Sequence, residues 1–186
     1  MIVLCKAVAT GVSDVKIVAG GKALQYQSQP LIMNEADEYA LEEAIVLKKA
    51  RGGEVTVLTM GSITTQNVLH LGLAKGADRA MRVDAQVQDS QAASIVLATA
   101  LGKLEYDLIL TGTQSRDTLS GLTGIAIAER LGIPFAFAVT QVEMDGDKSI
   151  RILKELGGGR SASVKLPMPG GTSRNEYSPS AEERAV

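Results

Sequence analysis

A chain of 186 residues with 45% hydrophobic and 22% charged residues can build one domain with a full core, and it is too apolar to be disordered throughout. A net charge of −2 excludes a general electrostatic grip on nucleic acid or on a membrane surface, and 3% aromatics without Trp exclude base-stacking platforms. One Cys excludes an internal disulfide and fits a cytoplasmic location, and no apolar run approaches the roughly 20 residues of a membrane helix.

The opening run Met1-Ile2-Val3-Leu4-Cys5-Lys6 is too short for a signal peptide, and residues 2–5 read as a buried strand. Cys5 within it reads as a buried structural thiol. Residues 11–33 are mixed, with Gly20-Gly21 as a turn between two short extended pieces. Asn34 reads as the N-cap of a helix whose first turn carries Glu35, Asp37 and Glu38, and Lys48, Lys49 and Arg51 close it before Gly52-Gly53. Residues 55–60 form a second buried strand, and a helix follows from about Ser62 to Lys75, ended by Gly76. Residues 79–84 read as a third strand and residues 89–104 as a helix with Ala92, Ala93, Val96, Leu97 and Ala100 on one face.

Asp107 to Thr111 is a fourth strand, followed by a Gly/Ser/Thr loop over 112–120 and a helix from about Gly121 to Leu131, which Gly132-Ile133-Pro134 breaks. Residues 135–143 are extended, Asp145-Gly146 marks a hairpin, residues 148–155 return, and residues 160–166 add a strand. From Pro167 the chain is rich in Pro, Gly, Ser and charge, so residues 167–186 read as a flexible tail behind a nucleotide-binding domain at 1–166. Alternation of strand and helix up to residue 134 predicts an α/β fold. It is three-layered, with a mostly parallel sheet of Rossmann-like, adenine-nucleotide-binding type and a C-terminal antiparallel hairpin.

In such a sheet, ligands bind beyond the carboxyl ends of the strands, where the strand order reverses. Two segments qualify: Leu4 to Ala7, and the loop Gly112-Thr113-Gln114-Ser115-Arg116-Asp117-Thr118-Leu119-Ser120-Gly121. Gly112 and Gly121 would let backbone approach a ligand, and amides at the start of the next helix would face a phosphate. Thr118 and Ser120 could add hydroxyls, and Arg116 a charge. Neither GxGxxG nor GxxxxGK[ST] is present. Catalysis has little support. His70, the single histidine, lies among Val68, Leu69 and Leu71 and reads as structural or surface, and one Cys with one His cannot make a Cys/His metal site. Glu35, Asp37, Glu38, Glu42 and Glu43 have the helical spacing of a solvated first turn rather than a metal site.

Several blocks in one order resemble the β subunits of electron-transfer flavoproteins. Asn34 to Ala44 is similar to that family's Asn-Pro-Phe-Asp-Glu-Tyr-Ala-Leu-Glu-Glu-Ala, and Gly52 to Gly61 to its Gly-Gly-Glu-Val-Thr-Val-Leu-Ser-Met-Gly. Gly76 to Ala80, Asp107 to Gln114, Leu131 to Pro134 and the turn Asp145 to Lys148 match further blocks. The resemblance implies a subunit without catalytic residues of its own, paired with an FAD-carrying α subunit. The pair would carry electrons from a dehydrogenase to an acceptor. It also implies bound AMP in a structural role, or FAD, held by Leu4, by Asn34, Glu35, Ala36 and Asp37, by Met60, and by Gly112 to Ser120. Departures are Glu35 and Ala36 in place of Pro and Phe, a shorter loop between Asp117 and Gly121, and an earlier end to the chain. Asn175-Glu176-Tyr177 resembles the start of the family's C-terminal region. The rival readings are a stand-alone nucleotide-binding regulator of universal-stress type, and a scaffold that has lost the nucleotide.

Overall fold

Side chains on successive strand residues point to opposite faces, so a strand apolar at every position must be covered on both sides. That is the situation of β1 (Ile2–Leu4), which is buried throughout. The computed structural model describes residues 1–11, 15–17, 20–21, 24–26 and 30–174. After β1 come β2 (Ala7–Ala9), β3 (Val15–Ile17), β4 (Leu24–Tyr26), β5 (Leu31–Met33), α1 (Glu35–Arg51), β6 (Thr56–Met60), α2 (Gln66–Lys75), β7 (Arg79–Val83) and α3 (Ser90–Leu101). The order continues with β8 (Leu108–Gly112), α4 (Thr123–Leu131), β9 (Phe135–Met144), β10 (Ser149–Gly157), β11 (Arg160–Pro167) and β12 (Gly170–Arg174).

The main sheet has eight strands in the order β11-β10-β9-β12-β8-β1-β6-β7. From β7 to β9 every neighbouring pair is parallel, and β10 is antiparallel to both β9 and β11. Val3, Leu108 and Leu110 face a core built with Leu41, Ala44 and Ile45 of α1 and Val68 and Leu69 of α2. Ile2, Leu4 and Ile109 face the other core, with Leu97 and Leu101 of α3 and Ile127 of α4. The result is the expected three-layer α/β sheet with its antiparallel C-terminal hairpin. The predicted Gly20-Gly21 turn joins the antiparallel pair β3 and β4, and both glycines have positive φ.

Two expectations are corrected. The first concerns residues 167–186. Gly170–Arg174 is a strand in the middle of the sheet, between β8 and β9, with every residue buried. The small side chains of its first four residues are what let it fit. A Cβ on Gly171 would lie 3.0 Å from the Phe135 ring, and one on Gly170 would lie 3.0 Å from the Pro167 carbonyl oxygen. The remaining tail positions, 175–186, lie outside the described residues.

The second concerns the acidic face of α1. Glu43 is 1% exposed and pairs with the buried guanidinium of Arg174, while its Oε1 accepts a hydrogen bond from the Val142 amide at 3.2 Å. Asp37 is buried as well. Only the outer acids of the cluster behave as a solvated helix start. Glu38, for example, reaches Lys75 at 2.5 Å.

Candidate functional site

The strand order reverses at β1, which has β6 on one side and β8 on the other. Beyond the carboxyl ends of these strands opens a cleft of about 580 Å³, within the range of small-ligand sites. Part of its lining is apolar, from Leu4, Leu58, Met60, Ala93 and Leu97. The polar part of the lining comes from the turn after β1, the loop after β8 and the segment 85–90 after β7.

Asp37 ties the two central strands together at the cleft. Its Oδ2 accepts from the Lys6 amide at 2.8 Å, just past β1, and its Oδ1 accepts from the Gly112 amide at 2.9 Å, at the end of β8. Burial pushes its pKa up to about 7, against the lowering pull of those two amides, the Asn34 side chain and the Lys6 charge. Gly112 is required by this packing: a Cβ there would lie 2.8 Å from the carbonyl carbon of Ala36. The space that the missing side chain leaves is filled by the start of α1.

Asn34 holds the N-cap position, yet its side chain does not cap α1. The backbone carbonyl accepts from the amides of Asp37 and Glu38 at 3.0 and 3.1 Å. The side chain instead grips the loop after β8, with Nδ2 donating to the Gln114 carbonyl at 2.9 Å and Oδ1 accepting from the Arg116 amide at 3.1 Å. The loop therefore rests on α1 through residues about 80 positions earlier in the chain.

On the cleft side of the loop, the Lys6 ammonium donates to Asp117 Oδ1 at 2.6 Å and to Ser115 Oγ at 3.1 Å. Ser115 Oγ also lies 2.7 Å from Thr118 Oγ1, and Asp117 Oδ1 accepts from the Thr118 amide at 2.8 Å. Burial pushes the Asp117 carboxyl up, but the hydrogen bonds from Lys6 and Ser115 and the Lys6 charge outweigh it and hold the pKa below the ordinary value. Ser120 Oγ lies 2.5 Å from Ser90 Oγ, linking the loop to α3. Leu119 and Gly121 both have positive φ, and the Leu119 amide donates to the Ser115 carbonyl at 2.8 Å. Thr111, which also lines the cleft, has a buried hydroxyl with no hydrogen-bond partner among the described residues.

Of the predicted site residues, Leu4, Asp37, Met60, Gly112, Thr113, Gln114, Ser115, Asp117, Thr118, Ser120 and Gly121 line this cleft. Asn34, Glu35, Ala36, Arg116 and Leu119 do not. Asn34 supports the loop from behind, Ala36 packs under Gly112, and the Arg116 side chain is exposed. Sequence reasoning included Lys6 only as part of the segment Leu4 to Ala7, without a role for its side chain, and missed the segment 85–90. Both follow the carboxyl end of a parallel strand, which was the available signal. Cys5 is buried, and burial followed by the nearby Asp37 charge raises its thiol pKa. His70 is exposed on α2, 3.2 Å from Gln66 Nε2. Among the described residues, no three His, Cys, Asp or Glu gather as metal ligands, and no helix is long and apolar enough to cross a membrane.

The family model of the electron transfer flavoprotein domain matches residues 23–170. The electron transfer flavoprotein subunit beta of Clostridium acetobutylicum is 37% identical over 171 residues, covering 90% of this chain and 66% of that protein. This chain belongs to the electron transfer flavoprotein β-subunit family. Protein FixA of Azorhizobium caulinodans is 32% identical over 178 residues, 89% of this chain and 63% of the relative. The caffeyl-CoA reductase-Etf complex subunit CarD of Acetobacterium woodii is 32% identical over 171 residues, 89% of this chain and 65% of the relative. The chain thus spans somewhat less than two thirds of the length of these family members. The family match covers α1, the strands β6 to β11 and the loop after β8, and so most of the cleft.

Proposed function

We propose that this chain is the β-like subunit of an electron transfer flavoprotein. In this reading it holds an adenine nucleotide, AMP or FAD, in the cleft between β1 and β8. It pairs with an FAD-carrying α-like subunit, and the pair shuttles electrons from a dehydrogenase to an acceptor in the cytoplasm. The flavin, when bound, would supply the redox chemistry, while this chain's residues bind and orient.

The observation that carries the reading is the chemistry of the cleft walls. Leu4, Leu58, Met60 and Leu97 offer an apolar surface suited to an adenine ring. In the same cleft, the loop after β8 offers the hydroxyls of Ser115 and Thr118, the Lys6 ammonium stands beside it, and the buried Thr111 hydroxyl has no partner among the described residues. The helix α4 starts at the cleft without a side-chain cap, because Leu122 at the N-cap has no acceptor. Its first amides are suited to an anionic group. These donors fit a nucleotide phosphate, and the family membership agrees with that. Gly121, rather than Gly112, is the glycine whose backbone would approach it.

One observation favours a second reading, a scaffold with no nucleotide: the Lys6 ammonium is already paired with Asp117. Mass spectrometry of the denatured purified protein separates the two. The first reading expects release of AMP or FAD in amounts comparable to the chain, and co-purification of a yellow complex on co-expression with an α-like subunit. Protein that releases no nucleotide and takes up none on incubation with AMP or FAD overturns it.

A further inference from the structure

Lys6 is the one cationic side chain among the described residues that line the cleft, against three acids, Asp37, Asp89 and Asp117. Two of those acids are committed elsewhere. Asp89 accepts from the Ala92 amide at 2.7 Å to cap α3, and Asp37 accepts from the amides of Lys6 and Gly112. Asp117 alone faces the ammonium, at 2.6 Å. A phosphate entering this cleft meets a cation that is already neutralised, beside a carboxylate that repels it.

The pair is built to open. Its side chains are 41% and 34% exposed, a setting in which an ion pair is weak and screened. Asp117 Oδ1 also accepts from the Thr118 amide, so the carboxylate has a partner on its own loop once the ammonium leaves. Ser115 Oγ stands within hydrogen-bonding distance of both Lys6 Nζ and Thr118 Oγ1, and so offers a hydroxyl at the point where an anion would replace the carboxylate.

We propose that Asp117 is an internal stand-in for the ligand's phosphate: its carboxylate holds Lys6 in the free protein and yields that ammonium to the phosphate of a bound adenine nucleotide. Lys6 is then the specificity-determining cation of the cleft, and Asp117 sets how tightly a phosphate-bearing ligand is held. The proposal rests on the nucleotide-binding reading above and assigns the side chains that exchange partners within it.

The test is equilibrium dialysis of the protein as purified against labelled AMP and, separately, labelled adenosine, with any endogenous nucleotide first exchanged out. Five proteins are compared: wild type, Asp117→Asn, Lys6→Met, Lys6→Arg and the double variant Lys6→Met with Asp117→Asn. Asp117→Asn should bind AMP roughly three- to tenfold more tightly, the order expected from removing one exposed competing charge. It should leave adenosine binding unchanged. Lys6→Met should weaken AMP about tenfold with adenosine again unaffected, and Lys6→Arg should restore much of the loss. In the Lys6→Met background, Asp117→Asn should gain less than it does alone. Unchanged or weaker AMP binding by Asp117→Asn overturns the exchange while leaving the nucleotide reading intact. So does an equal change for AMP and adenosine, which is what a purely structural disturbance of the loop would produce. Absence of AMP binding in all five proteins removes the nucleotide reading and the exchange with it.

Discussion

Asp37→Asn tests whether a buried acid spans the two central strands as described. In the folded chain the Asp37 pKa stands at about 7, against 3.8 for the ordinary group, with burial as the main cause. Below pH 3.8 both folded and unfolded chains hold the proton, and this group adds no pH dependence. As pH rises from there, the unfolded chain gives up its proton while the folded chain keeps it, so stability falls with pH until the folded pKa is passed. The full span corresponds to on the order of 4 kcal/mol at about 1.4 kcal/mol per unit. Between pH 5 and pH 7 the wild type should lose roughly 2–3 kcal/mol relative to the variant, whose side chain does not titrate. The variant also has a fixed cost. Its amide keeps one acceptor oxygen for the two backbone amides of Lys6 and Gly112 and turns an NH2 toward the other, which should cost about 1–3 kcal/mol at every pH. Urea unfolding of both proteins at a series of pH values separates the two effects, since one is a slope and the other an offset. Parallel stability profiles for wild type and variant across pH 5–7 would refute the assignment of a raised pKa to this carboxyl.

Breaking the buried pair by Glu43→Leu should lower stability by about 3–5 kcal/mol because Arg174 is left charged in the core, and Glu43→Leu combined with Arg174→Met should recover most of that loss in thermal unfolding. Gly112→Ala should cost more than about 2 kcal/mol by urea unfolding, since the new methyl meets the backbone of Ala36 and neither side can yield. Gly121→Ala places a side chain at a φ of +61° with its Cβ 3.2 Å from the Thr113 carbonyl oxygen, and should cost about 1–2 kcal/mol while also weakening AMP retention. Cys5 should react with a disulfide-exchange reagent only as fast as the protein opens, so its labelling rate should rise in step with added urea.

Local pattern made most of the fold readable. The alternation of apolar strand and capped helix through residue 134, and the Asp145-Gly146 turn, each depend on neighbours a few positions away, and each element lies close to where that pattern puts it. The cleft was readable for the same reason, because topology alone points to the carboxyl ends of β1 and β8. What escaped depends on partners far along the chain. Glu43 looks like part of a wetted helix face until Arg174, 131 residues later, arrives beside it. Asp37 is held by amides 31 and 75 positions away. Gly170–Arg174 carries no apolar side chain at all, so hydrophobic periodicity cannot detect a strand whose burial comes from the bulk of its neighbours. Asn34 was readable as a helix boundary but not as the support of a loop.

The late position of β12 has a consequence for biosynthesis. The five residues of this strand occupy the slot between β8 and β9, so a nascent chain that has emerged only as far as residue 169 carries every other strand of the main sheet and a gap at its centre. Until those five residues leave the ribosome, β8 and β9 expose unpaired peptide groups of the kind that recruit other chains. Completion of this sheet therefore waits for residues 170–174, after all its other strands have been made. Premature termination anywhere before Gly170 should yield aggregation-prone fragments instead of a smaller working domain.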